Sequence, residues 1–318
     1  MASFARRVVC LRRFHGTAVR IYSLHKGTPL AMEPEVRWVF GEVRLRVLEW
    51  PGEKGTILAL HGLTGYAETF LPLIPALNPP YRVLSMDLRG RGESEQPADE
   101  RAYGLQAHLR DIPAVLEALA PEGALLMGHS LGAMLALAVA AEHPDRVRGL
   151  ILFDGGPLPS RTFSESLNQV LNARLEELPS LEAFRELVRS MPFLQPFDER
   201  LMPILEAGLT REPDGRVRVK FPSRLGALEA MELGAIWNEQ LRAYQGRIRC
   251  PVLLLKAPVG TFGPHDRFFT ESEENLLRQV IPQVRTVEVP GTTHYTIVLG
   301  YHPDRDRLVR AFVEEVLG

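Results

Sequence analysis

The sequence contains few of the residues that form disulfides or metal clusters. Its two cysteines, Cys10 and Cys250, are far apart and lie outside any CxxC pattern. They provide no disulfide framework, and neither stands beside a histidine that would favour a zinc or redox site. A protein that needs no metal or cofactor, in a reducing cytoplasmic setting, is the simplest prediction from this composition.

The sequence also lacks strong net charge and long apolar runs. Its formal net charge of -2 gives no electrostatic reason to expect a polyanionic partner. No uncharged apolar run approaches the roughly 18 residues that a membrane helix needs. We therefore expect neither nucleic acid nor a membrane as a partner. The sequence carries no indication of an oligomeric state.

The first 31 residues differ in composition from the rest of the chain. They are basic, and no acidic residue occurs before Glu33. Such a segment resembles an organelle transit peptide, and it lacks the apolar core of about 7–15 residues that a secretory signal has. The alternative is an extended start, with Met32 as the effective beginning. Under either interpretation we expect residues 1–31 to be dispensable for the fold.

From Val36 onward, short apolar runs alternate with segments of helical periodicity. Two alternating runs on either side of Gly41-Glu42 predict an antiparallel hairpin. The later runs are largely apolar, which is typical of parallel strands that are buried on both faces. These runs are Thr56–Leu60, Tyr81–Met86, Ala124–Met127, Val147–Phe153, Pro251–Lys256 and Val284–Val289. The pattern predicts an α/β fold with a mostly parallel central sheet and helices on both faces.

One long segment interrupts this alternation. Between residues 157 and 246 the sequence has helical patterns, punctuated by several prolines, and no convincing strand. An insertion at this point is expected to cover the carboxyl end of the sheet, where open α/β folds bind their substrates. We therefore predict a core formed by residues 32–156 and 247–318, with residues 157–246 as a helical lid.

The strongest chemical motif is Gly128-His129-Ser130-Leu131-Gly132, which stands between a predicted strand and a predicted helix. A serine hydroxyl is a weak nucleophile unless a sharp turn presents it to a base, and small neighbours permit that turn. The N-terminus of the following helix also directs backbone N–H groups at a developing oxyanion. Ser130 is therefore the predicted nucleophile.

A second motif, His61-Gly62-Leu63-Thr64-Gly65, ends an earlier predicted strand. With the serine motif, it makes the chain from Val36 to Gly318 resemble the α/β-hydrolase superfamily, specifically its lid-bearing serine esterases. The resemblance implies that the backbone N–H groups of Leu63 and Leu131 form the oxyanion hole, and that His61 is structural. The run from Asp87 to Ser94 also resembles a family motif, which we interpret as a salt-bridged turn.

The remaining members of a catalytic triad are expected near the end of the chain. The family places its base where Gly291-Thr292-Thr293-His294-Tyr295 follows the last predicted strand, so His294 is the predicted base. Thr293 departs from the glycine that is usual there. Asp266 has the family's typical spacing from the base and is the predicted acid. Asp154 remains the alternative, because some relatives carry their acid at the end of the earlier strand.

These motifs predict a serine hydrolase that cleaves a carboxylic ester of a small molecule, with no metal or cofactor. The same residues would serve a thioester, lactone or carbon–carbon bond hydrolase, or an acyltransferase. A ligand receptor without catalysis is a further alternative, which a missing serine or histidine would favour. The sequence does not identify the acyl group or the leaving group.

Overall fold

The computed structural model describes residues 33–172, 177–221, 223–235 and 237–318. Residues 1–31, which the sequence sets apart, lie outside the described residues, so their dispensability stays a prediction. Within the described ranges, no helix is long and apolar enough to cross a membrane.

Strands in the described ranges form two sheets. In chain order they are β1 (Glu35–Phe40), β2 (Arg44–Trp50), β3 (Lys54–Leu60), β4 (Tyr81–Met86), β5 (Ala124–His129), β6 (Val147–Phe153), β7 (Glu177–Leu178), β8 (Leu209–Arg211), β9 (Val217–Val219), β10 (Val252–Lys256) and β11 (Val284–Glu288). The large sheet has eight strands in the order β1-β2-β4-β3-β5-β6-β10-β11. The hairpin of β1 and β2 is antiparallel, β2 pairs antiparallel with β4, and the other pairs are parallel. The predicted mostly parallel sheet is therefore confirmed.

Helices cover both faces of the large sheet. They are α1 (Ile74–Leu77), α2 (Leu105–Leu119), α3 (Leu131–Glu142), α4 (Arg161–Asn172), α5 (Leu181–Ser190), α6 (Met202–Ala207), α7 (Ser223–Ala235), α8 (Trp237–Gln245), α9 (Glu271–Val280), α10 (Thr296–Leu299) and α11 (Pro303–Leu317). One face packs against α2, α3, α8 and α9, and the other packs against α1, α10 and α11. Helix α3 is apolar on all sides from Leu131 to Ala141, because the sheet and its neighbouring helices bury these residues.

The segment between β6 and β10 is mainly helical, as predicted, but the expectation that it contains no strand is wrong. Besides α4–α8, it contains a small antiparallel sheet in the order β7-β9-β8. Its strands have only two or three residues, too few for a periodic pattern. The sequence signal for this hairpin is Pro213-Asp214-Gly215, a turn sequence between β8 and β9, with Gly215 at a φ of 88°.

Parallel pairing brings several loops together at one edge of the large sheet. Gly128 of β5 is level with Leu60 of β3 on one side and with Leu152 of β6 on the other. Strand β10 then pairs with β6. The residues that follow these strands therefore lie next to one another at the carboxyl edge, although they are far apart in sequence.

Candidate active site

Ser130 stands in a strained turn between β5 and α3. Its φ of 53° and ψ of −117° place a non-glycine residue in a region that L-amino acids rarely adopt. Close packing explains its glycine neighbours, since a Cβ on Gly128 would lie 2.4 Å from the Gly132 oxygen, and one on Gly132 would lie 2.0 Å from the Leu60 oxygen. The structure thus has the predicted sharp strand-to-helix turn with Ser130 at its apex.

The two predicted oxyanion-hole residues lie on either side of this turn. Leu131 is the first residue of α3, so its N–H has no acceptor within the helix. The loop that carries Leu63 follows β3 and lies against Ser130, because a Cβ on Gly62 would lie 3.3 Å from the Ser130 Cβ. Among the described residues, no backbone carbonyl outside helices and strands accepts from the Leu63 N–H. Leu63 and Leu131 therefore stay the predicted oxyanion-hole donors.

His61 uses both ring nitrogens to hold this loop. Its Nε2 accepts from the backbone N–H of Leu88 at 3.0 Å, so Nδ1 carries the proton and donates to the Gly62 carbonyl at 2.7 Å. Burial, partly opposed by the charge of Asp87, lowers the pKa of His61 to about 4. The ring is therefore neutral and both of its nitrogens are hydrogen-bonded, in accord with a structural role.

His294 pairs with Asp154, and the expected contact with Asp266 is wrong. The His294 Nδ1 lies 2.7 Å from the Asp154 Oδ2, and both side chains are almost fully buried. The other carboxylate oxygen, Oδ1, accepts from the Ala257 N–H at 3.0 Å. Asp154 follows β6 directly and adopts a φ of 41°, which aspartate tolerates better than most residues. Two donors thus hold the carboxylate that orients the imidazole.

Asp266 instead closes the loop that follows β10. Its carboxylate accepts from the backbone N–H groups of Thr261, Phe262 and Gly263 at 3.1, 2.9 and 3.0 Å. Burial would raise the pKa of Asp266, but these N–H groups and the Ser166 hydroxyl outweigh it and hold the pKa below its usual value. Because its carboxylate oxygens are hydrogen-bonded within this loop, Asp266 does not contact the imidazole.

Aromatic rings surround the His294 imidazole. Phe268 lies parallel to it with 5.2 Å between ring centroids, and Phe163 lies at 62° to it with 4.5 Å between ring centroids. Phe163 belongs to α4 of the inserted segment, so this segment reaches the predicted base. These rings therefore shield the imidazole from water, and its Nδ1 is paired with Asp154.

The fold and the site can be compared with known proteins. Residues 55–301 match the family model described as the α/β-hydrolase fold. The chain belongs to this family. Among similar curated proteins, 2-(acetamidomethylene)succinate hydrolase of Mesorhizobium japonicum is 28% identical over 258 residues, which is 80% of this chain and 86% of that protein. A "Probable serine hydrolase" of Drosophila melanogaster is 30% identical over 277 residues, which is 81% of this chain and 80% of that protein.

Solved structures show the same fold. The crystal structure of E-2-(acetamidomethylene)succinate hydrolase matches with a TM-score of 0.74 at 24% identity, covering 89% of this chain and 98% of that one. The thioesterase domain from the curacin biosynthetic pathway matches with a TM-score of 0.70 at 20% identity, covering 88% of this chain and 99% of that one. The relatives named here are hydrolases, which supports an enzyme in this family.

In this α/β-hydrolase, His129 connects the turn that holds Ser130 to the loop that holds His294. Its Nε2 donates to the main-chain carbonyl of His294 at 2.8 Å, and the two rings lie 4.8 Å apart. Burial, reinforced by the neighbouring His294, lowers the pKa of His129 well below its usual value, so the ring is neutral. This contact has no signal in the sequence, because its acceptor is a backbone carbonyl far away in the chain.

The departure from glycine at Thr293 also has a structural role in this α/β-hydrolase. The Thr293 hydroxyl donates to the Phe193 carbonyl of the inserted segment at 2.6 Å. Its N–H donates to the Thr296 hydroxyl at 2.8 Å, at the start of α10. Thr293 is not among the residues with a positive φ, so a β-branched side chain fits there without backbone strain. A glycine could not make the contact to Phe193.

Proposed function

We propose that this chain is a serine hydrolase that cleaves a carboxylic ester through an acyl-enzyme on Ser130. The observation that carries the proposal is the buried pair of His294 and Asp154, 2.7 Å apart, at the carboxyl edge of the sheet where β5 ends in the strained turn of Ser130 and the adjacent β6 ends at Asp154. Nucleophile, base and acid then follow the chain order Ser130, Asp154, His294, which is the order of α/β-hydrolases. The Asp154 carboxylate can accept only, so it holds the proton on Nδ1 and leaves the Nε2 lone pair free to act as a base.

The first half of the reaction forms the acyl-enzyme. The Ser130 Oγ attacks the acyl carbonyl while its proton passes to the His294 Nε2. The N–H groups of Leu63 and Leu131 stabilise the oxyanion of the tetrahedral intermediate. The protonated imidazole, held by Asp154, then returns its proton to the leaving alcohol as the carbon–oxygen bond breaks.

The second half regenerates the enzyme. A water molecule gives a proton to the His294 Nε2 and attacks the acyl carbon, so a second tetrahedral intermediate forms in the same oxyanion hole. Its collapse releases the carboxylic acid, and the proton returns from His294 to the Ser130 Oγ. The residues described here are sufficient for each step, and no cofactor is required.

We further propose that the inserted segment is a lid over this site. It supplies Phe163, which contacts His294, and Phe193, whose carbonyl accepts from the Thr293 hydroxyl. Thr293 lies in the loop that carries His294, which we call the base loop. Its boundary with the core should lie earlier than residue 247, because α8 packs against α3 in the core cluster. The rings of Phe163 and Phe268 beside the base favour an uncharged, apolar acyl group.

A thioester is the second candidate substrate. The same triad and oxyanion hole would serve a thioester, and the similar fold of the curacin thioesterase domain favours including this class. Rates on matched oxygen and sulfur esters of one acyl group separate the two candidates. A kcat/KM more than about tenfold higher on the thioester, beyond the reactivity difference measured in buffer alone, would favour thioester hydrolysis.

A fluorophosphonate probe tests the nucleophile. We expect it to label the native protein at one serine, Ser130, because the strained turn and the base make that hydroxyl reactive. Intact mass and peptide mapping give the stoichiometry and the site. Ser130→Ala should abolish labelling and Ser164→Ala should retain it, since the Ser164 hydroxyl on α4 bonds to the Ser160 carbonyl. Labelling at any other serine would overturn the proposal. A series of nitrophenyl esters from acetate to palmitate then measures the acyl preference.

His129→Phe should lower kcat/KM for the preferred nitrophenyl ester by roughly tenfold, because the base loop loses a buried hydrogen bond of about 0.5–1.5 kcal/mol and its alignment with Ser130. Steady-state kinetics and a melting curve measure the rate and the stability. His143→Phe, at the C-terminal end of α3, is the control and should retain the rate. Equal rates for both variants would show that the contact of His129 with the base loop has no role in catalysis.

A further inference from the structure

A buried cluster of ionisable side chains joins the inserted segment to the core next to the loop of Leu63. Glu229 on α7 accepts from the Arg91 Nη1 at 3.2 Å, and its second carboxylate oxygen accepts from the Arg91 Nη2. The His108 Nε2 of α2 lies 2.9 Å from the same carboxylate. The side chains of Arg91, Glu229 and His108 are 0%, 1% and 0% exposed, so this is an internal ion cluster and not a surface salt bridge.

Arg91 also holds the residue that carries one oxyanion-hole donor. Its Nε donates to the Leu63 carbonyl at 3.2 Å, and its Nη1 donates to the Arg89 carbonyl at 3.0 Å. This hydrogen bond fixes the peptide plane of the Leu63 carbonyl, and the Leu63 N–H is separated from that plane only by the φ and ψ of Leu63, so the contact limits the movement of the loop that carries the donor. The planar guanidinium connects Leu63 and Glu229 through donors of fixed geometry.

The lid supplies the counter-charge for this arginine. Among the described residues, Glu229 is the carboxylate within ion-pair distance of Arg91, and the ring of Phe221, which precedes α7, lies 4.8 Å from the guanidinium. Burial would raise the pKa of Glu229, but the charge of Arg91 and the contact with His108 outweigh it and lower the pKa. A displaced α7 would leave a buried, unpaired cation directly below the oxyanion loop, which the low-dielectric interior strongly disfavours.

We propose that Arg91 is a positioning residue for the oxyanion hole, and that Glu229 keeps it in place only while the lid is closed. The hole is then fully formed when the lid covers the substrate and loosens when α7 moves away. This coupling restricts stabilisation of the oxyanion to the closed, water-excluding state. The inference rests on the proposed serine hydrolase function, because it concerns the Leu63 donor of that mechanism.

Two ketone inhibitors separate positioning from simple lid anchoring. A trifluoromethyl ketone forms a tetrahedral adduct with a serine nucleophile and places an oxyanion in the hole, whereas the matching methyl ketone binds without forming it. In Glu229→Gln, which keeps the shape and removes the charge, we expect the inhibition constant of the trifluoromethyl ketone to rise about tenfold or more. That of the methyl ketone should change less than about twofold, and kcat should fall with KM nearly unchanged.

Glu232→Gln is the matched control, one helical turn further along α7. The Glu232 carboxylate accepts from the Leu105 N–H at the start of α2 at 3.1 Å and does not contact Arg91, so this variant loosens the lid without affecting the oxyanion loop. It should lower the melting temperature and leave the ratio of the two inhibition constants unchanged. If Glu229→Gln does not fold, Arg91→Lys decides by the same ratio, because lysine retains the charge but cannot reach both Leu63 and Glu229.

The outcomes distinguish this inference from the function on which it rests. Unchanged inhibition by both ketones, or an equal loss for both, overturns the positioning role and leaves the hydrolase proposal standing. If the fluorophosphonate does not label Ser130 of the wild-type protein, both proposals fall. A selective loss for the trifluoromethyl ketone in Glu229→Gln, absent in Glu232→Gln, supports the coupling of lid and hole.

Discussion

Asp154→Asn is expected to lower kcat by on the order of 10²–10⁴-fold, or roughly 3–5 kcal/mol of transition-state stabilisation. Asparagine has the same shape and also tolerates the positive φ of Asp154, so the turn after β6 should be retained. Its amide can donate to Nδ1, which stabilises the wrong tautomer of His294 and leaves no negative charge for the imidazolium. Steady-state ester hydrolysis at neutral pH measures the loss, with circular dichroism to verify the fold.

Asp266→Asn is the matched control for this variant. Because its carboxylate bonds to the loop and not to His294, the rate should change less than about tenfold while the melting temperature falls at neutral pH. The pKa of Asp266 is lower in the folded protein than in the unfolded chain, so its carboxylate stabilises the fold above the unfolded pKa. This contribution is lost as the pH falls through the folded pKa, so the two melting temperatures should converge in acid. If Asp266→Asn lost most of its kcat while Asp154→Asn retained the wild-type kcat, the assignment of the acid would be refuted.

His294→Gln should cause a larger loss, on the order of 10⁴–10⁶-fold in kcat, because it removes the group that takes the proton from Ser130 and returns it to the leaving group. In serine proteases, removal of the histidine costs about as much as removal of the whole triad. Labelling of Ser130 by the fluorophosphonate should slow in parallel, since the probe needs the same activated oxygen. Single-turnover rates on a nitrophenyl ester measure the effect.

His302→Gln is the control for the histidine variant. His302 lies before α11, and burial, reinforced by the charge of Arg305, lowers its pKa, so it is a neutral residue in a structural position. We expect its replacement to retain the rate. If His294→Gln retained most of the activity, a histidine base would be excluded and another activation of Ser130 would be required.

Much of the fold follows from local sequence patterns. The predicted bounds of β4 and β6 are confirmed to the residue, because turn residues delimit short apolar runs that can only be buried strands. Helix α3 is likewise confirmed over Leu131–Glu142. The small sheet of the inserted segment was missed because two- and three-residue strands have no measurable period. Their pairing depends on the hairpin turn and on tertiary contacts that local sequence does not predict.

The sequence by itself determined where the nucleophile turn lies. A run of five residues, with glycines on either side of Ser130, specifies a tight turn wherever a strand leads into a helix, so local sterics suffice. The position of His294 after the last strand is similarly set by chain order. These two features depend on neighbours in the chain, and the folded arrangement agrees with them.

Only the tertiary structure decided which carboxylate orients His294. Asp154 and Asp266 follow adjacent parallel strands, β6 and β10, so both lie at the carboxyl edge of the sheet near His294. Their spacing from His294 in the sequence therefore cannot distinguish them. The choice depends on the path of the loop after β10, which turns three N–H groups onto Asp266, while β6 ends with Asp154 directed at the imidazole. The ion cluster of Arg91, Glu229 and His108 is decided in the same way, because its members come from three distant segments. A carboxylate bonds to whichever donors the fold places within about 3 Å of it, and this placement is a property of the whole chain.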